Sequence, residues 1–191
     1  MPQTTSQATS LTNQFLIAMP GLDDPNFSRS VAYICEHNAQ GAMGLVVNRP
    51  MDMDLGEVLR QLELKTDDDR VEHELVYTGG PVLPDRGFIL HRPHGGWEST
   101  LAVTASIAIT TSLDILDAIA RNDGPHDIIF ALGYAGWTAG QLETEMAENA
   151  WLTVPADERV LFELPPEARW RAAAELIGID PAQLSGDSGH A

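Results

Sequence analysis

Short β-rich apolar runs in this chain follow one another in twos and threes before a helical stretch intervenes, and that grouping constrains the fold most. A doubly wound parallel sheet needs a crossover helix between successive strands, so strands and helices must alternate. Grouped strands pair with their chain neighbours instead. The expected class is therefore α+β: a mixed sheet with helices packed on it, in one domain. A length of 191 residues suits a single core.

The runs can be placed. Phe15–Ala18 reads as a short buried strand closed by Met19-Pro20-Gly21. Ser30–Glu36 and Met43–Val47 flank a Gly-containing loop and form a hairpin. Asp54 and Glu57 have capping-box spacing, and Leu55, Val58, Leu59 and Leu62 recur at helical intervals, predicting a helix over 55–63. An acidic loop over Thr66–Arg70 precedes strands at Glu74–Thr78, Gly87–His91 and Leu101–Thr104. Thr111–Asp114 opens a second helix with Leu113, Leu116, Ile119 and Ala120 on its inward face. Asp127–Leu132 is the most strand-like run. Thr138 and Gln141 have the spacing of another capping box, opening a helix with Leu142, Met146 and Ala150 inward. Trp151–Val154 is a short strand. Pro166 starts a last helix with Trp170, Ala173, Ala174 and Ile177 at core spacing and Gly178 past its end.

Charge narrows the function. The chain carries 28 acidic against 11 basic residues, a formal −17, and Lys65 is its only lysine. Nucleic-acid affinity comes largely from basic side chains displacing counterions, and a field this negative repels phosphate at long range. Direct nucleic-acid binding is not expected. Cys35 is the only cysteine, which excludes an internal disulfide and fits a reducing compartment. Residues 1–10 read as a polar, disordered tail without a targeting signal, leaving 11–191 as the domain. No apolar stretch is long enough to span a membrane as a helix, so a cytoplasmic chain is expected.

Candidate chemistry gathers at three places. Cys35 and His37 stand two apart on one strand, where side chains ~7 Å apart share a face, so an imidazole could activate a thiol. Cys35 also continues the face of Val31 and Tyr33, as a structural cysteine would. Hairpin register sets Asn48 and Arg49 beside Ser30 and Arg29, ~13 Å along the sheet from Cys35, which disfavours a Cys35–Arg49 unit. That strand end gathers Asp23, Asp24, Asn26, Ser28, Arg29, Asn48 and Arg49. The cluster suits a small anion or a partner's backbone, or an Arg–Asp pair that ties the Asp23–Phe27 loop down. Gly133, Gly136 and Thr138 lead from a strand towards a capped helix, where free N–H groups can hold an anion or simply make a turn.

Other patterns carry less. His91 and His94 have no helical support and no cysteine partners, so no metal site is expected. Asp67, Asp68 and Asp69 lack calcium-loop spacing, and Gly186-Asp187-Ser188-Gly189 copies a protease motif in a setting without a barrel around it. No nucleotide motif is present, and no cofactor is expected.

A set of phrases in order resembles a known family. They are Phe15–Pro20 with Gly21–Phe27, Glu36–Asn38, Gly41–Pro50, Gly79–Val82, Phe88–His91, Gly133–Trp137 with Gln141–Glu143, and Trp151. From about residue 11 to the end the chain is similar to the bacterial YqgE/AlgH family. The resemblance implies a mixed, strongly curved sheet forming a pseudo-barrel around core helices. It also implies a label of transcriptional regulator, attached to proteins mostly of unknown function, and no established catalytic residue. The expected function is a non-enzymatic regulatory or interaction module acting indirectly on gene expression, with a protein or small-molecule partner. The alternatives are a Cys35-dependent enzyme or redox sensor, and a direct transcriptional regulator, which the charge disfavours.

Overall fold

A computed structural model describes residues 10–19, 27 and 29–179. In chain order the strands and helices are β1 (Gln14–Ala18), β2 (Val31–Asn38), β3 (Gly41–Val46), β4 (Pro50–Asp54), α1 (Leu55–Gln61), α2 (Asp69–Glu72), β5 (Leu75–Thr78) and β6 (Val82–Arg92). There follow β7 (Thr100–Ala102), β8 (Ala108–Thr110), α3 (Leu113–Ala120), β9 (Asp127–Thr138), α4 (Gln141–Ala147), β10 (Trp151–Pro155), α5 (Glu158–Phe162) and α6 (Pro166–Leu176). The sheet runs β10-β1-β2-β3-β9-β6-β8-β7, with β5 added parallel to β9 and β4 antiparallel to β5. This is the mixed, strongly curled α+β sheet expected from strand grouping and family resemblance.

Alternation along the strands sorts side chains into layers. Phe15, Ile17, Val31, Tyr33, Leu90 and Ile129 face one common core, which α5 and α6 fill with Leu161 and Ala173. The opposite face is divided. Leu16, Ala32, Ile34, Trp137 and Trp151 pack under α4, while Val76, Ile89 and Phe130 pack under α1, α2 and α3.

β9 serves both halves. Its first part pairs with β5 and β6, and its last part pairs with β3. At Gly133, with φ of 78°, the alternation slips by one residue: Phe130 lies with the α1–α3 layer, and Ala135 and Trp137 with the α4 layer. A Cβ at Gly133 would overlap the Gly80 carbonyl, so two backbones cross here closer than any side chain permits. The strand expected to stop at Leu132 therefore continues to Thr138. The helices expected at 55–63 and from Leu113 and Pro166 form at those places. Four short elements went unread: β4, α2, β8 and α5. Each is too brief to show a period.

Candidate functional site

The hairpin register holds at the strand end. Val47 donates its N–H to the Val31 carbonyl, and Asn48 Oδ1 accepts the Val31 N–H at 2.9 Å while its Nδ2 donates to the Arg29 carbonyl at 3.0 Å. Both ends of that amide are thus spent on closing the ladder between β2 and β3. Arg49 is half-buried, and its carbonyl accepts the Thr78 N–H. From the core side the buried Arg169 of α6 donates to the Val47 carbonyl at 2.5 Å and lies 5.3 Å over the Tyr77 ring. Sequence reading missed Arg169, because helical periodicity gave it no role. Asp23, Asp24, Asn26 and Ser28 lie outside the described residues, as do residues 1–9 and Gly186–Gly189.

Cys35 and His37 part company. Cys35 is 2% exposed among Tyr33, Leu45 and their neighbours, and burial pushes its thiol far above the ordinary range. β2 pairs Ile34 with Gly44 and Glu36 with Met43, so Cys35 is the extra residue of a bulge. The slip turns His37 to the other face, against α4. The expectation that 35 and 37 share a side is corrected by that single unpaired residue. His37 Nδ1 accepts the Leu11 N–H at 2.9 Å, which leaves the proton on Nε2, donated to Glu143 at 2.5 Å. The Glu143 carboxyl is held below its usual range, first by its own backbone N–H and then by His37.

Gly133 and Gly136 lie within β9, and Thr138 ends it, two residues ahead of the N-cap of α4, so the run leads from strand to helix as expected. Gly136 pairs with Met43 and Thr138 with Gly41, and the Thr138 N–H is taken by Gln141 Oε1 at 2.9 Å. His91 and His94 are committed as well. The His91 ring is fully buried, donates from Nδ1 to the Pro93 carbonyl at 3.0 Å and accepts at Nε2 from Thr110 at 2.7 Å. His94 Nε2 donates to the Thr104 carbonyl at 2.6 Å. Among the described residues no group of three or more His, Cys, Asp or Glu is placed to hold a metal ion.

Two concavities lie on the α1–α3 side instead. The larger, of 460 Å³, is an apolar groove between α1 and α3, with Val58, Leu62, Leu113 and Leu116 on its walls and Phe130 and Leu132 on its floor. It continues into a second depression through the shared Leu62 and Leu113. These leucines were expected in the core, yet Leu62 is 40% and Leu113 64% exposed, because each stands at a helix end beyond the reach of the sheet. Across the groove β6 bulges outward over residues 83–86, where Leu83 is 51% exposed with φ of 48°, a left-handed conformation costly for leucine. Asp85, Asp114 and Asp117 stand on the rim, with Arg86 beside them.

The smaller concavity, of 270 Å³, is polar. Arg70, Glu74, Asn122, His126 and Asp127 line it, with Val71, Ile119 and Phe162 between them. Asp127 is bonded to Arg92 at 2.7 Å.

Comparison with known proteins gives consistent results. The family model described as AlgH-like matches residues 15–182. A UPF0301 protein of Thioalkalivibrio sulfidiphilus is 57% identical, over 96% of this chain and 98% of its own. One of Cupriavidus metallidurans is 55% identical, over 98% and 99%. The solution structure of the AlgH protein from Pseudomonas aeruginosa is similar with a TM-score of 0.79 at 50% identity, covering 100% of both chains. A crystal structure from Corynebacterium diphtheriae, at 18% identity with a TM-score of 0.69 over 94% and 92%, shares the fold.

Proposed function

This chain belongs to the AlgH-like family, and from that premise we propose that it is a non-enzymatic interaction module that holds a partner protein's basic amphipathic helix between α1 and α3. Its influence on gene expression is indirect, through that partner, and it works in the cytoplasm. The observation that carries the reading is the pair of exposed leucines, Leu62 and Leu113, opening onto a continuous apolar groove. Apolar surface gathered into a groove at helix spacing is the usual receptor for the apolar side of a helix. Rim carboxylates and a net charge of −17 select a basic partner and repel nucleic acid. Against a Cys35-dependent reaction stand the burial of the thiol and the bulge that turns His37 away.

The test is amide shift mapping with a leucine–lysine amphipathic peptide. Saturable shifts at Val58, Leu62 and Leu113, lost in Leu113→Glu, support the reading. Shifts confined to other surfaces, or equal binding of a leucine–glutamate peptide, reject it.

A further inference from the structure

The small polar cavity is separate from the groove and has chemistry of its own. Arg70 of α2 and Glu74, just ahead of β5, both line it, so one basic and one acidic residue border the same space. They do not form an ion pair with one another. Among the described residues neither side chain makes a hydrogen bond or ion pair. The other carboxylate lining the cavity is spoken for: Asp127 is bonded to Arg92, which also lies 5.0 Å over the Phe162 ring.

Glu74 is more than half covered, and burial pushes its carboxyl above the ordinary range even though Arg70 and Arg169 act on it through space in the other direction. A covered carboxylate without a donor is an unmet demand for one. The C-terminal end of α3 borders the same cavity at Ile119 and Asn122, and its carbonyls add a partial negative charge that favours a cation there. Arg70 supplies the opposite preference from the other wall. A volume of 270 Å³ is at the small end of ligand pockets. The apolar patch of Val71, Ile119 and Phe162 between the polar groups suits a short carbon skeleton.

From two opposite charges that face one cavity without touching, we propose that this is a binding site for a small zwitterion of the amino-acid class, its ammonium on Glu74 and its carboxylate on Arg70. Each charge of the ligand answers one unpaired charge of the protein, so a molecule with only one of them forfeits half of the recognition. The site requires no occupant in the groove.

The experiment titrates the full chain by calorimetry and amide shifts with α-aminobutyrate and γ-aminobutyrate, against butylamine and butyrate as singly charged analogues. The expected result is that one zwitterion binds saturably, and about tenfold or more tighter than either analogue. Glu74→Gln removes its advantage over butyrate, and Arg70→Gln its advantage over butylamine. Leu113→Glu leaves the affinity unchanged, which separates this site from the groove. No saturation by either zwitterion, or a singly charged analogue binding as tightly, overturns the proposal. That ranking is read on the unmodified chain and so does not depend on any variant folding.

Discussion

The α4 side of the sheet and its α1–α3 side use similar residues to different ends. Under α4, Trp137 and Trp151 lie edge to face at 6.1 Å, and both indole N–H groups donate to Glu145, at 3.3 and 2.9 Å. Glu145 also accepts from Gln141, and His37 has a partner at each ring nitrogen. On the other side Leu62 and Leu113 stand exposed, Arg70 and Glu74 line one cavity without an ion pair between them, and among the described residues the buried Trp97 indole N–H has no partner. The difference teaches that aromatic residues and charges do not by themselves mark a site. What separates the two sides is whether neighbouring groups already satisfy them.

That contrast is breakable by substitution. The largest effect is expected at Trp151→Ala, which empties a buried, hydrogen-bonded position and should cost about 3–5 kcal/mol in urea unfolding; a loss below ~1 kcal/mol would show the α4 side to be loosely packed. His37→Ala should cost about 1–3 kcal/mol, because the Leu11 N–H loses its acceptor and Glu143 its donor. A smaller change comes with pH. Burial lowers the pKa of His91, so on acidification the unfolded chain binds a proton first. Stability is then full above ~6.5 and declines as the pH falls below that value. Unfolding midpoints flat between pH 7 and 5 would contradict it.

On the open side, effects on stability should be slight and effects on binding large. Leu83→Gly relieves a left-handed leucine but loosens the unfolded chain, for a net change under about 1 kcal/mol. The smallest change in stability belongs to Leu113→Glu, within about 0.5 kcal/mol. A larger loss would place Leu113 in the core and close the distinction between the two sides.

Much of the scaffold was legible beforehand. The Leu55, Val58 and Leu59 spacing located α1, Pro166 located the start of α6, and the hairpin arithmetic set Asn48 beside Arg29. The sites were less so. Leu62 and Leu113 belong to the same periodic series as buried neighbours, and nothing local distinguishes a leucine that meets the sheet from one that overhangs it. Arg70 and Glu74 sat in what reads as acidic loop and strand, with no motif to join them.

Sequence by itself determined the class of fold, the family, the exclusion of an internal disulfide and the acidity of the chain. Those properties are carried by composition, local period and residue order. Tertiary structure alone decided the phase slips at Cys35 and Gly133, and with them which face His37 and Trp137 occupy. It also decided which leucines are covered and which charges meet. The reason is physical: a bulge and an uncovered helix end are consequences of how distant strands are paired, and that pairing is a long-range contact with no local period to announce it.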